Sequence, residues 1–317
     1  MKIKAVTREE FCAHSKAVSG SVFMTEEWTG LFSDLVFFKI EASDNKLIGL
    51  FYIRHFHKFM LSAWRTPLFT PHCGLWISNS SKNKSNFIST EKKVIGAISQ
   101  FLKSKKGIKS IAFSNEFTDL QPFAWDDFKV IPNYTYIIPL SQTTDEIWAA
   151  MSPERRNDIK KAEKDSIVVK REEDMNVVLS MVNSSLDRKD SNSYNDQIKK
   201  IMFSFAKPGN AFAFAAYKDN IPVAASFCIH DKKKTYYLLG GYDSRNRHGG
   251  AGAACIWESI KLSREMGIEE FDFEGSMIKP VESFFRGFGG NITPYFTVNK
   301  APFFAEIVLK YFYRSTF

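Results

Sequence analysis

Arg247-His-Gly-Gly-Ala-Gly-Ala253 is the stretch on which the reading of the fold turns. It follows an apolar run with strand character, Tyr236–Gly240, and opens a run with helical spacing, Cys255–Met266. At the start of a helix the first backbone N–H groups have no partner within the helix, and the helix dipole favours negative charge there. Residues without bulk at that place let an anion come within reach of the main chain, which is what gripping a diphosphate requires. The spacing Arg-x-x-Gly-x-Gly, from Arg247 through Gly250 to Gly252, differs from the Gly-x-Gly-x-x-Gly of dinucleotide folds. It also lacks the Gly-Lys-Ser/Thr ending of a P-loop. A turn of small residues that only lets a helix pack closely has the same pattern, so the surroundings decide.

The 317 residues are 44% hydrophobic and include 30 Phe. That is enough for two domains of ordinary size with filled cores, and it argues against disorder. No run approaches the ~20 apolar residues of a membrane span. The opening Met1-Lys-Ile-Lys-Ala-Val-Thr-Arg-Glu-Glu10 turns to charge too soon for a signal peptide. Cys12, Cys73, Cys228 and Cys255 are scattered, three of them in apolar settings, so a reduced, cytoplasmic protein is expected. The formal net charge of +8 suits an anionic partner: a CoA-type cofactor, a nucleotide-linked precursor, RNA or a lipid surface. His55-x-His57 ends a strand and His72-Cys73 stands alone in a loop, with no Cys-x-x-Cys or His-Glu-x-x-His, so no metal site is expected. A Ser nucleophile elbow is absent as well.

Outward from the opening stretch, the chain repeats itself. Lys105-Lys-Gly-Ile-Lys-Ser-Ile-Ala-Phe113 parallels Glu265-Met-Gly-Ile-Glu-Glu-Phe-Asp-Phe273, aligned on Gly107 and Gly267. Upstream, Phe37–Phe51 parallels Phe212–Ser226, each an apolar strand turned by an Asp-Asn pair, which is a hairpin signal. Each half thus reads hairpin, strand, loop, helix, Gly-Ile, strand, with helices at Asn86–Ser104 and Gly250–Met266. We expect two copies of one α/β unit: a first domain over 1–145, a second over 146–300, and a C-terminal helix within 301–317 that packs back on the protein. Ser152-Pro153 is a good N-cap and first-turn pair for the charged helix that runs to about Lys164. The first copy has Thr70-Pro-His-Cys-Gly-Leu75 where the second has its small-residue loop, so the second half is the better place for an active site.

With these pieces placed, the chain resembles the GNAT-like acyltransferases, and more closely the branch with two fused GNAT-like domains that includes the FemABX peptidyltransferases. Three segments carry the likeness: Met151–Lys164, similar to the helix that opens the second domain there; Arg247–Ala253, similar to the acyl-CoA pyrophosphate loop; and Phe271-Asp-Phe-Glu-Gly275 with Phe284-Phe-Arg-Gly-Phe-Gly-Gly290. The resemblance implies a mixed, mostly antiparallel sheet flanked by helices in each domain. Fem-type enzymes use aminoacyl-tRNA and generally lack an intact pyrophosphate loop, whereas this chain keeps one, which favours a thioester donor. Arg286 stands where those relatives tend to carry Lys before Phe-Gly.

The resemblance also implies roles. Arg247 with Gly249, Gly250, Ala251, Gly252 and Ala253 would hold the pyrophosphate of acyl-CoA. The strand end Leu239-Gly240-Gly241 would offer backbone N–H groups to the thioester oxygen, the two glycines letting substrate come close; a plain strand-ending turn reads as well. Glu274 ends the apolar strand Phe271–Phe273 where its neighbour should splay, and would take the proton of the amine; a salt bridge or turn cap fits that position equally. Asp272 is expected to pair with a basic residue across the sheet. Tyr242 would donate a proton to the thiolate or bond the acceptor, or simply pack. Arg245 reads as a solvated surface residue. The acceptor, an amine-bearing small molecule or cell-envelope precursor, would enter a cleft between the domains near Tyr242, Arg286 and the basic helix with Arg155 and Arg156. That helix, with Lys160, Lys161 and Lys164, reads more simply as a solvated face. No nucleic-acid module is present, so DNA is not expected as a partner. The terminal run Pro302–Phe312, with Tyr313 and Arg314 beyond it, allows a peripheral membrane contact.

The expected function is therefore N-acyl transfer from an acyl-CoA to an amine, with no metal. Two alternatives stand beside it: a Fem-like transfer from aminoacyl-tRNA to a cell-envelope peptide, and a non-catalytic protein that holds an anionic ligand.

Overall fold

The computed structural model of the protein describes residues 1–18, 20–58, 61–78, 81–185, 192–275 and 277–312. Packing divides the chain into two compact units, though not at residue 145: one is Met1–Asn133 with Pro294–Phe317, the other Tyr134–Thr293. The first unit holds β1 (Lys2–Val6), α1 (Arg8–Ala17), α2 (Glu26–Thr29), β2 (Leu35–Glu41), β3 (Leu47–Lys58), β4 (Leu61–Arg65), β5 (Trp76–Ile77), α3 (Lys84–Ser104), β6 (Ile108–Phe113), α4 (Gln121–Trp125) and the start of β7 (Lys129–Pro139). The second holds the end of β7, then α5 (Thr144–Ala150), α6 (Pro153–Lys164), β8 (Val168–Arg171), α7 (Met175–Ser185), α8 (Asn192–Lys200), β9 (Ala211–Lys218), β10 (Ile221–His230), β11 (Lys234–Tyr242), α9 (Ala251–Glu265), β12 (Glu270–Asp272), α10 (Lys279–Arg286) and the start of β13 (Asn291–Lys300). The last residues of β13 return to the first unit because Phe296–Lys300 pairs antiparallel with Lys109–Phe113 of β6. Helix α11 (Phe303–Phe312) follows them there.

Both units repeat one pairing scheme. In the first, β1-β2-β3-β4 pair antiparallel, β4 pairs parallel with β6, and β6 antiparallel with β13. In the second, β8-β9-β10-β11 pair antiparallel, β11 pairs parallel with β12, and β12 antiparallel with β7. The fold is a mixed, mostly antiparallel sheet flanked by helices. Local chemistry explains the turns. Asp219 and Asn220, between β9 and β10, both have positive φ (50° and 63°), the requirement of a two-residue hairpin turn. Gly107 and Gly267 end α3 and α9 with φ of 98° and 75°, a region where a side chain is strained.

Alternation puts two faces on each sheet. Phe37, Leu50 and Tyr52 pack with Phe11 and Cys12 of α1, while Phe38, Phe51 and Ile53 pack with Val94, Ile95, Ile98 and Leu102 of α3. In the second unit, Phe212, Phe214, Ala216, Ala224 and Cys228 form one core with Ala254, Cys255, Ile256 and Ile260 of α9 and Ile159 and Ala162 of α6. Helix α7 covers the other face of β9–β11. All four cysteines are free and buried.

Helix α11 forms where the spacing placed it with no residue fully buried; Ala305, Glu306 and Leu309 are half-buried and Glu306 pairs with Lys129 (3.7 Å), so one side alone rests on its unit. Tyr313 and Arg314 lie outside the described residues.

Candidate active site

The second unit opens its sheet at one place. Strand β12 is only three residues long and pairs Lys234↔Glu270, Thr235↔Phe271 and Tyr236↔Asp272. Strand β11 continues to Tyr242, paired there with β10. The register slips on the way, since Phe227 faces Leu239 but Cys228 faces Tyr237, leaving Leu238 as the extra residue of a β-bulge. From Tyr237 onward the edge of β11 that faced β12 therefore presents main-chain groups without a ladder. This is where the sequence placed an oxyanion hole. Strand β12 stops because the chain turns: Phe273 donates its N–H to Tyr136 O (3.1 Å), and Glu274 adopts φ 60° with its N–H on Asp272 Oδ1 (2.9 Å).

The glycine pair on β11 has a different reason from the one expected. A Cβ on Gly241 would overlap the main chain of Met181 in α7, and one on Gly240 would overlap the Tyr237 hydroxyl. Both glycines make room for the protein itself. Helix α7 closes onto this strand end through Ser185, whose Oγ accepts the Tyr242 N–H (2.7 Å) and donates to the Tyr242 carbonyl (3.3 Å). Leu239 is buried.

The loop to α9 is wound by Asp243, a buried carboxylate that accepts the Arg245 N–H (3.0 Å) and the Asn246 side chain (2.9 Å); these bonds hold it below the usual carboxylate range. His248 then clamps the turn. Its Nδ1 accepts the Gly250 N–H (3.2 Å), so the proton sits on Nε2, which donates to Asp165 Oδ2 (3.0 Å). Lys161 and His248 together hold Asp165 down to about 2.

Helix α9 begins at Gly250 with no side chain capping it. Among the described residues no group accepts the N–H of Ala251, Gly252 or Ala253. The glycines split by role. Gly250 must be small because a Cβ would overlap the Asp158 carbonyl of α6, whereas a Cβ on Gly249 or Gly252 would meet nothing within 4 Å. Ala251 and Ala253 are buried, while Gly249 and Gly252 reach solvent. The expected five-residue cradle is therefore narrower: the Gly250 N–H is taken by His248, and an anion would have to enter along Gly249 and Gly252. Arg247 borders that opening with its guanidinium 5.1 Å from the exposed Tyr242 ring, and Arg245 is solvated.

Glu274 is partly buried beside a charged cluster. Lys234, almost wholly buried, reaches Glu270 (3.1 Å) and Asp272 (3.6 Å), the cross-sheet pairing expected for Asp272. Thr135 donates to Asp272 Oδ1 (2.6 Å). Burial drives the Glu274 carboxyl well above its ordinary range, Asp272 adds to this, and Lys234 only partly opposes it. A carboxylate so placed is a stronger base than usual.

The arginines proposed for the acceptor have structural engagements. Arg155 is 5% exposed, lies 4.1 Å over the Phe284 ring and pairs with Asp158, so it does not belong to a solvated basic face. Arg156 donates to the carbonyls of Ala149 (3.0 Å) and Met151 (2.6 Å), capping α5. Arg286 is exposed and pairs with Glu282 (2.9 Å), which also accepts the Tyr136 hydroxyl. The bulge at Leu238, the His248–Asp165 clamp and Lys234 escaped the sequence reading. The first two depend on partners far along the chain; only the lone Lys234 before an apolar strand offered a signal.

Residues 154–281 match the model of the acetyltransferase (GNAT) domain. The chain has the GNAT/Fem-type fold and is a transferase. Similar solved structures include FemX, with 12% identity and a TM-score of 0.65 over 98% of this chain and 100% of that one. L-PGS from Bacillus licheniformis is similar at 13% identity and TM-score 0.58, over 99% and 98% of the two chains. A tandem GNAT protein from the clavulanic acid biosynthesis pathway is similar at 9% identity and TM-score 0.52, over 94% and 97%. At these identities the fold is what is shared. No curated protein matches the sequence. The matched domain model makes acyl transfer the general class of reaction. Among the described residues no helix is long and apolar enough to cross a membrane, and no three His, Cys, Asp or Glu side chains gather as metal ligands.

Proposed function

We propose that the protein transfers an acyl group from a CoA thioester to an amine. One observation carries this: the unladdered end of β11 with its bulge leads, through the loop held by Asp243 and His248, into an uncapped helix N-terminus open at Gly249 and Gly252. The helix start would hold the diphosphate of the donor, with Arg247 at its border. The free edge of β11 at Leu239–Gly241 would donate to the carbonyl oxygen as it gains charge. The amine nitrogen attacks the carbonyl carbon and gives a proton to Glu274. The carbon–sulfur bond then breaks, and the leaving thiolate takes a proton from the Tyr242 hydroxyl. The acceptor is an amine-bearing small molecule or envelope precursor, with exposed Arg286 rather than Arg155 or Arg156 free to meet it.

A second reading has its own support. The narrowed cradle and the likeness to FemX and L-PGS favour an aminoacyl-tRNA donor in the Fem manner. Calorimetric and thermal titration with acetyl-CoA separates the two. The thioester reading expects measurable heat and, at a hundredfold excess over Kd, stabilisation of about 2.7 kcal/mol. Absence of both at millimolar ligand would remove it and leave the aminoacyl-tRNA reading, tested by transfer that depends on charged tRNA.

A further inference from the structure

Helix α11 carries six large apolar side chains in solvent. Phe303, Phe304, Tyr311 and Phe312 are 72%, 81%, 81% and 70% exposed, and Ile307 and Val308 are more than half exposed. At 100° per residue these six share one side of the helix, about half its circumference, while Ala305, Glu306 and Leu309 turn toward the unit. Glu306 is the one acidic residue of the helix. It is held by Lys310 (2.8 Å) and Lys129 (3.7 Å), which keep it below the usual carboxylate range. The exposed side is thus uncharged and aromatic, and its edge carries the half-exposed Lys310.

We infer that α11 docks flat on an anionic bilayer surface, its aromatic side buried at the headgroup boundary. Ten helical residues span about 15 Å, far short of a bilayer crossing but suited to lying in the interface plane. A second copy is the weaker occupant. Two such helices laid against each other would bury only part of this side, so a second copy would need further surface of the unit to reach the roughly 800 Å² per partner of a standard interface. A bilayer sets no such minimum, because each inserted side chain contributes separately. Charge agrees in sign: the chain is +8 overall, and the helix adds no unpaired acid to the face. This inference does not depend on the identity of the acyl donor.

The test uses the full chain and phosphatidylcholine vesicles with and without phosphatidylglycerol. The protein should sediment with the anionic vesicles at low salt. Phe304→Ser with Tyr311→Ser should weaken this by at least about tenfold. Both sites are exposed, so the melting temperature should hold. Lys310→Glu should weaken binding to the anionic vesicles alone. Failure to sediment at low salt, or equal binding by the double variant, overturns the inference. So does a lipid-free dimer abolished by the same two substitutions, which would assign the face to a second copy.

Discussion

The two units repeat one strand scheme and differ at the same two places. In the first, β4 pairs with β6 at Ala63↔Ile108, Trp64↔Lys109 and Arg65↔Ser110, and the ladder is then carried on by other groups. Thr66 donates to Ser110 O (3.2 Å), Ala112 to Thr66 Oγ1 (2.7 Å) and Cys73 to Ala112 O (3.0 Å). In the second unit the matching pair β11–β12 ends and nothing among the described residues continues it. The helices differ likewise. Asn83 caps α3 by accepting the Asn86 N–H (3.0 Å), whereas α9 starts at a bare glycine. One copy satisfies its own main chain; the other leaves main-chain groups free, and free groups are what a ligand can use. The two copies thus differ in hydrogen bonds rather than in fold.

The sharpest way to break this contrast is at the base. Glu274→Gln should lower kcat by about 10²–10⁴-fold with donor binding retained. The native carboxyl has a folded pKa above its unfolded one, so it is favoured protonated and penalises the folded state once pH rises above the unfolded value. Removing the charge should therefore raise the melting temperature at neutral pH, and the wild-type rate should fall as pH drops through the raised pKa. An active Glu274→Gln enzyme would leave the open sheet without a catalytic purpose.

The glycines give the next largest effects, of opposite sign. Gly241→Ala forces a Cβ into the main chain of Met181 and should cost about 1–3 kcal/mol in chemical denaturation. Gly252→Ala adds a methyl to open space inside a helix and should stabilise by roughly 0.5–1 kcal/mol. It should also weaken donor binding, since the methyl stands where the anion enters. If Gly252→Ala binds acetyl-CoA as wild type does, the cradle lies elsewhere. In the first unit, Asn83→Ala should cost about 1 kcal/mol and leave transfer unchanged.

What the sequence disclosed follows from range. The hairpin at Asp219-Asn220, the Gly107 and Gly267 turns and the Ser152 cap of α6 are set by neighbours within a few residues, and all could be read directly. The Leu238 bulge needs the register against β10, and the return of β13 needs β6, so neither is visible in a local pattern. Arg155 misleads because the spacing of a charged helix resembles a solvated face, while Phe284 and Phe288 lie about 130 residues further on. Even the defining loop was half legible: its small residues were plain, but which of them serve packing and which a ligand depends on Asp158 and His248 in space.

The smallest expected effect tests that last division. Asp165 is held at about 2 in the folded state by Lys161 and His248, below its unfolded value near 3.9. A depressed carboxylate contributes stability above the unfolded value and loses it as pH falls toward the folded one. Asp165→Asn should therefore flatten the acid limb of stability between about pH 4 and 2, a small change because the group is partly solvated. It should also loosen His248, freeing the Gly250 N–H that the ring now occupies. If the clamp only braces the turn, donor affinity will stay as it was. If the clamp is what narrows the cradle, affinity will rise as the melting temperature falls, and the second unit's main chain will prove to be rationed by its own histidine.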